Sequence, residues 1–380
     1  RNGNAAMTMR PHDTQFMRHA LALAARGLGR VAPNPAVGCV IVREDEPGGP
    51  RVVGRGWTQP GGRPHAEVEA LRRAGPLAKG ATAYVSLEPC AHQGRTGPCA
   101  SALIEAGIAR VVGGVADPNP EVAGRGFAML QAKGIAVTEN VCAAEAQYLN
   151  EGFFRTMTDG RPLVTLKVAS SLDGRTATGD GHSQWITGPE ARARGHLLRA
   201  THDAIMVGSA TAIVDDPELT CRLPGLEDRS PIRIIADGRL RLPLTSRLVR
   251  DAKTVPLWVL TMPGGDSERR KAFESCGVEL IDVRPDETGA MDMEVALNLI
   301  AARGVTRLLV EGGARLSASL MRAGLIDRIE CFQAGALIGG DGYPAIAALG
   351  VKNLDEAPRF SLREVSRVGH DLLASFVRSV

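Results

Sequence analysis

Residues 86–99 read SLEPCAHQGRTGPC, with eight residues between Cys90 and Cys99. A compact zinc knuckle spaces its cysteines about two to four residues apart. A disulfide is equally out of place, because the chain holds seven cysteines, an odd and sparse set. What joins the two thiols lies upstream. His65-Ala66-Glu67 opens HAEVEALRRAG (65–75), which reads as a helix. Cys90 follows Pro89 at the end of an apolar strand, ATAYVSLEP (81–89), and Cys99 opens a second helix, PCASALIEAG (98–107). One imidazole and two thiolates suit zinc with a fourth position open to water. Helix N-termini favour the thiolate through their free N–H groups and positive dipole. An open site of this kind lowers the pKa of bound water towards ~7. Glu67, two residues past His65, can take that proton and hand it to a leaving amine, the logic of the H-x-E…P-C…C zinc deaminases. A purely structural zinc would need a fourth protein ligand, for which His92 is the nearest residue.

Length and composition frame this site. The chain has 380 residues, 44% hydrophobic and 23% charged, enough apolar mass for two cores. Aromatic residues make up only 4%, which argues against stacking platforms for single-stranded nucleic acid. A net charge of +3, with both signs mixed along the chain, is too small for a nonspecific nucleic-acid binder. No segment reaches the ~18 apolar residues of a membrane span, and RNGNAAMTMRPHD has no apolar core of signal-peptide length. Residues 1–6 are set outside the fold, as an upstream extension or a cloning remnant. The sparse cysteines fit a reducing, cytoplasmic setting.

Two α/β halves are predicted. In the first, DTQFMRHALALAARG (13–27) reads as a helix with Asp13 as N-cap. AVGCVIV (36–42) and RVVGRGWT (51–58) read as strands joined by the polar turn REDEPGGP, and ARVVGGVAD (109–117) and IAVTEN as further strands. FAMLQAKG reads as a helix between the last two. The alternation predicts a mostly parallel sheet covered by helices on both faces. Around residue 150 the pattern restarts, with NEGFFRTMTDGRP as a linker. Six apolar strands follow, LVTLKVA (163–169), DAIMVGS (203–209), IRIIADG (232–238), VPLWVL (255–260), VELI (278–281) and TRLLVEGG (306–313), with helical segments between most of them.

The long gap between Cys90 and Cys99 carries information of its own. Nucleic-acid and nucleoside deaminases close with C-x-x-C, whereas this loop holds His92 and Arg95. A guanidinium there suits a phosphate monoester. NPAVGCVIV (34–42), HAE (65–67) and EPCAHQGRTGPC (88–99) together resemble the deaminase domain of the bifunctional riboflavin-biosynthesis deaminase/reductase family. The resemblance implies a cytidine-deaminase-like three-layer domain over residues 7–150. It makes His65, Cys90 and Cys99 ligands of one Zn2+ per chain, and Glu67 the proton shuttle. It makes Asn34, His92, Arg95 and Asn119 substrate contacts, although the PNP around Asn34 is also a turn signal by itself. Relatives have Pro where this chain has Gly97. Cys39, in an apolar strand, reads as core.

The second half lacks a G-x-G-x-x-G after its first strand, so a standard dinucleotide fold is not indicated. VEGGARLSASL (310–320) and MVGSATAIVDDP (206–217) do run from strand through glycine into small residues, which lets a backbone approach a pyrophosphate at a helix N-terminus. Plain turn chemistry explains either alone. TLKVASSLDGRTA (165–177), GHSQWITG (181–188), HLLRATHDAIMVGSATAIVDDPELTCR (196–222) and VEGGARL (310–316) resemble the reductase domain of the same family, and in the same order. That implies a linker over 151–161 and a dihydrofolate-reductase-like α/β domain over 162–380 that uses NADPH. Ala169, Trp185, Thr211, Asp215, Ser246 and the segment Gly313, Ala314, Arg315, Leu316, Ser317, Ala318 and Ser319 would contact the cofactor. Ser183, Arg199, Leu219, Arg222 and Glu311 would contact substrate.

Arg199 and Arg222 suit a ribose 5-phosphate, or are plain surface charges. Lys167 and Glu311, at strand ends, can aid opening of a sugar ring and protonate a nitrogen, or form an ion pair. Asp173 in SLDGR reads as a turn residue. The expected substrate is a small pyrimidine ribotide, with no nucleic-acid or membrane partner, and a homo-oligomer, dimer or tetramer, is expected by analogy. Two other readings remain: a deaminase whose second domain only binds, and a nucleic-acid deaminase with an accessory domain.

Overall fold

The computed structural model describes residues 9–45, 47–91, 97–119 and 123–379. The chain divides into two compact units after Gly160. In the first, β1 (Gly38–Arg43), β2 (Arg51–Trp57), β3 (Thr82–Val85), β4 (Arg110–Gly113) and β5 (Ala136–Thr138) form a sheet in the order β2-β1-β3-β4-β5. Its helices are α1 (Asp13–Ala24), α2 (Ala66–Ala74), α3 (Cys99–Glu105), α4 (Arg125–Ala132), α5 (Ala143–Leu149) and α6 (Glu151–Thr158). The expected mostly parallel sheet is in fact mixed: β1 runs antiparallel to both β2 and β3, while β3-β4 and β4-β5 are parallel. The physical reason is connection length. The polar turn after β1 is too short for a crossover, so the chain returns as a hairpin.

Alternation along β1 builds the three layers. Cys39 and Ile41 point into a core with Ala66 and Ala70 of α2, Leu103 of α3 and Phe127 of α4. Val40 and Val42 point the other way, to Met17 and Leu21 of α1 and Ala146 of α5. Each buried Val, Ile, Leu, Met or Phe among them contributes about 1.5–3 kcal/mol. Asp13 is not the N-cap of α1, a position held by His12. Its carboxylate turns inward and accepts from Arg110 Nη1 and Nη2 at 2.8 and 2.7 Å and from Tyr84 OH at 3.0 Å. Burial pushes that carboxyl up, but Arg110, the Arg10 amide and Tyr84 outweigh it and hold it below the ordinary range. The stretch expected as a linker carries α6, because Phe153 and Phe154 pack into the first unit's core.

The second unit contains β6 (Leu163–Ser170), β7 (Arg175–Ala177), β8 (Ala204–Gly208), β9 (Ile232–Ala236), β10 (Leu257–Thr261), β11 (Glu279–Asp282), β12 (Arg307–Glu311), β13 (Arg328–Gln333), β14 (Tyr343–Pro344), β15 (Phe360–Val368) and β16 (Asp371–Arg378). Its helices are α7 (Pro189–Ala200), α8 (Ser209–Asp215), α9 (Arg247–Arg250), α10 (Ser267–Ser275), α11 (Met293–Ala302) and α12 (Ala314–Arg322). Among the described residues the main sheet runs β11-β10-β9-β8-β12-β6-β13-β16-β15, with β7 and β14 pairing separately. From β11 to β13 the ladders are parallel, and β16 and β15 close the edge antiparallel. Strand β12 is inserted between β6 and β8, so consecutive connections leave a crevice at their carboxyl ends. Such switch points are where open α/β sheets bind ligands.

Candidate active sites

The first site is assembled from element starts. His65 caps α2 with extended backbone, and Cys99 is the first residue of α3. A Cβ at Gly56 of β2 would collide with the Ala66 carbonyl, so only glycine lets the first turn of α2 lie so closely on the sheet. His65 Nδ1 is 3.2 Å from Cys99 Sγ and 3.8 Å from Cys90 Sγ, and the three donor atoms lie within 4.8 Å of one another. Zinc bonds of about 2.0–2.3 Å in a tetrahedron place ligand atoms roughly 3.5 Å apart, so the donor set fits zinc. Hydrogen bonds from the Cys99 thiol, from His65 and from the Cys99 amide pull the Cys90 thiol down to about 4. The Cys99 thiol, facing that thiolate, is pushed up.

Glu67 is 3% exposed on the first turn of α2. Burial first, and then the Cys90 thiolate, push its carboxyl up to about 7. Asn34 packs its side chain on Gly62, whose φ of +84° and missing Cβ admit it. Cys39 is fully buried, as the strand pattern implied. His92 and Arg95 lie outside the described residues. Asn119 accepts at its carbonyl from Ala123 N and donates its amide to Asp117.

Sequence reasoning missed Glu88. This buried carboxylate accepts from the amides of Asp117, Gly124 and Gly126 at 3.1, 2.9 and 2.8 Å. It thereby ties the Asn119 loop to the segment that delivers Cys90. Its position two residues before Cys90, in a strand end with no cationic neighbour, was the available signal.

The second site is a cavity of about 550 Å³ at the carboxyl ends of β6, β8 and β12. Lys167, Ala169, Ser183, Trp185, Arg199, Thr211, Asp215, Leu219, Arg222, Glu311 and Ser317 all line it. Lys167 and Glu311 are register partners on neighbouring strands, with Nζ 3.9 Å from Oε2. Arg199 clamps Glu311 through Nε at 2.7 Å and Nη2 at 2.8 Å, and its Nη1 donates to Thr220 O at 3.0 Å. Burial alone would push the Glu311 carboxyl up. Arg199 and Lys167 overcome it and bring the pKa to about 2, so Glu311 is an anion throughout the neutral range. Arg222 is exposed and pairs with Glu218 at 3.0 Å.

Gly312 and Gly313 have φ of +78° and +82°, a conformation that favours glycine, and a Cβ on Gly313 would face Thr211 Oγ1 at 3.4 Å. With α12 starting at Ala314, this leaves open backbone and N–H donors at the crevice, which fits a dinucleotide phosphate. The side chains of Leu316 and Ala318 are in the core. Ser246 is buried outside the cavity lining, where its Oγ accepts from Val249 N as the N-cap of α9. Asp173 binds Ser171 Oγ and the amides of Ile338 and Gly339, so it shapes its turn and tethers a second loop. Arg192, stacked 4.6 Å over the Trp185 ring, and Arg247 also line the cavity and were not foreseen.

Comparison with known proteins gives the same division. Residues 10–115 match a family model described as the zinc-binding region of cytidine and deoxycytidylate deaminases, and residues 162–374 match the RibD C-terminal domain. The riboflavin biosynthesis protein RibD of Escherichia coli is 42% identical, covering 96% of this chain and 99% of that protein. Its Aquifex aeolicus counterpart is 40% identical over 97% of this chain and 99% of its own length. Among solved structures, Acinetobacter baumannii RibD aligns with a TM-score of 0.85 at 39% identity, covering 97% of this chain and 99% of the other. A Thermotoga maritima diaminohydroxyphosphoribosylaminopyrimidine deaminase/5-amino-6-(5-phosphoribosylamino)uracil reductase aligns at 0.82 with 32% identity, covering 97% and 99%.

Proposed function

The chain belongs to the RibD family of bifunctional riboflavin-biosynthesis deaminase/reductases, and from that premise we propose how its residues divide the work. Zinc and NADPH are the family's cofactors. Their sites here are the His65, Cys90 and Cys99 cluster and the crevice above β6, β8 and β12. The proposed substrate of the first unit is 2,5-diamino-6-ribosylamino-4(3H)-pyrimidinone 5′-phosphate. When bound, zinc supplies Lewis-acid activation of water. Glu67, buried and poised near neutrality, takes a proton from the attacking water and delivers it to the departing 2-amino group, which leaves as ammonia. Asn34 and Asn119 orient the pyrimidine, and His92 and Arg95 complete the contacts to the ribotide.

The deaminated ribotide is the substrate of the second unit. NADPH, when bound, supplies the hydride that converts the C1′ imine of the opened ribose into an amine. Lys167 donates the proton that accompanies ring opening and reduction. Glu311, ionised and clamped by Arg199, holds the ammonium in place and is not itself the donor. Arg222 and the unspent N–H groups of Arg199 receive the phosphate, Ser183 and Leu219 flank the pyrimidine, and Ala169, Trp185, Thr211, Asp215 and the Gly313–Ser319 segment receive the cofactor. The product is 5-amino-6-ribitylaminouracil 5′-phosphate.

One observation carries this reading: a buried carboxylate beside a His/Cys/Cys cluster in one unit, and a Lys–Glu–Arg triad in the cavity of about 550 Å³ in the other. The test is to supply zinc-loaded protein with the diamino ribotide and NADPH, and to follow ammonia and NADPH together. Ammonia release followed by stoichiometric NADPH oxidation is expected. Ammonia without oxidation, even after the deaminated ribotide is added, would reject the second unit's assignment. We further propose a dimer or tetramer working in a reducing cytoplasm. All seven cysteines are free, and among the described residues no helix is long and apolar enough to cross a membrane. Light scattering that gave a monomer would refute the oligomer.

A further inference from the structure

Pro217, Glu218, Leu219 and Arg222 line the cavity of the second unit from a stretch, 216–222, that has no helix or strand of its own. The backbone groups of such a stretch need partners from elsewhere. Its conformation is a demanding one, since Leu219 has φ of +58°, in the left-handed region that side chains rarely adopt. The side chains of Leu219 and Cys221 are buried, while Arg222 is exposed. Three successive residues are then held by side chains. Thr220 O accepts from Arg199 Nη1 at 3.0 Å, Cys221 N donates to Ser230 Oγ at 3.0 Å, and Arg222 N donates to His196 Nδ1 at 3.3 Å. Among the described residues the Arg222 amide has no other hydrogen-bond partner.

His196 is half-buried on α7, one turn before Arg199, and does not itself line the cavity. Its Nδ1 also lies 3.2 Å from Thr220 O. One ring nitrogen carries either a lone pair or a proton. With the lone pair it accepts from the Arg222 amide. With a proton it donates to Thr220 O, which Arg199 already serves. Only the first arrangement gives every one of these backbone groups a partner, so the proton belongs on Nε2 and the ring is neutral. The surroundings favour that state. Burial, then the charges of Arg199 and Arg222, push the His196 pKa down against the opposing pull of the Glu311 carboxylate and the Thr220 carbonyl. The Arg222 guanidinium donates to Glu218 at 3.0 Å and to Thr220 Oγ1 at 3.3 Å, so it can exchange an exposed carboxylate for another anion while its backbone stays fixed.

We propose that neutral His196 is a positioning residue of the reductase half: its Nδ1 lone pair fixes the Arg222 backbone, so that the guanidinium meets the 5′-phosphate of the ribotide. The proposal rests on the reading of Arg222 as the partner of that phosphate. Protonation of the ring withdraws the lone pair, gives Nδ1 to Thr220 O and leaves the Arg222 amide unbonded. The hold on the phosphate therefore weakens in acid.

The experiment measures NADPH oxidation by the full-length, zinc-loaded protein on the deaminated ribotide and on the same compound lacking its 5′-phosphate. His196→Leu, His196→Asn and Arg222→Ala are compared with the parent. His196→Leu is expected to raise KM for the ribotide by about 10-fold, the scale of an amide left without its acceptor, with kcat within about 2-fold. KM for the compound without phosphate should change by less than about 2-fold, because Arg222 has nothing to hold there. Asparagine places a carbonyl oxygen close to where Nδ1 sits, so His196→Asn should stay within about 3-fold of the parent. Its amide does not titrate, so it should also lack the parent's extra rise in KM below pH 6.5. What rise remains belongs to the phosphate, whose own second ionisation lies near about pH 6. Equal rises in KM for both compounds in His196→Leu, or a fall in kcat with KM unchanged, overturn the proposal. If His196→Leu folds poorly, a His196→Asn pH profile that superimposes on the parent's overturns it instead. Arg222→Ala separates the two levels: if it leaves KM for the ribotide unchanged, the phosphate reading itself fails and the proposal falls with it.

Discussion

The two sites are built on opposite plans. The zinc cluster draws three soft donors from a span of 35 residues, each at the end or start of an element, and buries one carboxylate beside them. The reductase crevice draws on positions from Lys167 to Ala345 and uses common side chains whose meaning comes from placement. In the first, chemistry resides in residue identity, since imidazole and thiolate at one point have few other uses. In the second, it resides in topology. Lysine, arginine and glutamate meet at one point only because β12 is inserted beside β6 and brings Glu311 into register with Lys167. The difference predicts that the first site fails residue by residue, while the second degrades as a network.

The largest effect should come from Glu67→Gln. Deamination is expected to fall by about 10²–10⁴-fold, the usual worth of a positioned acid–base group, with zinc content unchanged by atomic absorption. Loss of the zinc along with the activity would show instead that Glu67 serves the cluster and not the proton. Next in size, Glu311→Gln should lower the reductase kcat by about 10²-fold while ammonia release is untouched, because it leaves Lys167 without its anion. If KM rises and kcat does not, Glu311 is a binding group and the network account of the second site is wrong.

Glu88→Gln sharpens the comparison from the other direction. It asks whether the zinc site has a positioning network of its own. The KM for deamination should rise by about 10-fold, the scale of a lost charged hydrogen bond, with kcat and zinc content moving less. A matched fall in kcat and zinc would place Glu88 in support of Cys90.

The smallest effect concerns stability of the second unit. His202 is buried between Leu198 O and Thr165 Oγ1, and burial, then Arg307, bring its pKa down to about 3. The unfolded chain, with an ordinary value of 6.5, binds this proton first. Stability is therefore complete above about pH 6.5 and declines as pH falls towards 3, by at most about 1.4 kcal/mol per pH unit. Glu311 adds a second loss below 4.5, because its folded value is depressed to about 2. Melting curves of the second unit recorded from pH 7 downwards check the order. A Tm that holds steady from pH 6.5 to 5 removes the His202 contribution.

Legibility followed the same division. His65, Glu67, Cys90 and Cys99 could be found from spacing and element ends alone, and apolar runs located the parallel strands of both halves. The crevice residues were reachable only through resemblance, because nothing local marks Lys167 or Arg199 as more than surface charges. Three features escaped for identifiable reasons. The mixed first sheet follows from a hairpin, which the count of alternating elements does not report. Helix α6 was obscured by the Gly-Pro punctuation after it. Strands β13 and β15 are rich in charged and polar residues, and β15 is largely exposed, so they lack the apolar runs that revealed the others.

The most direct test of two independent sites acting in series is a rescue in the Glu67→Gln variant. Supplied with the diamino ribotide and NADPH, it should release ammonia and oxidise NADPH at rates about 10²–10⁴-fold below the parent. Supplied with the deaminated ribotide, it should oxidise NADPH at the parental rate. NADPH oxidation at the parental rate with the diamino ribotide, or failure to oxidise it with the deaminated one, would contradict the order and the independence of the two sites.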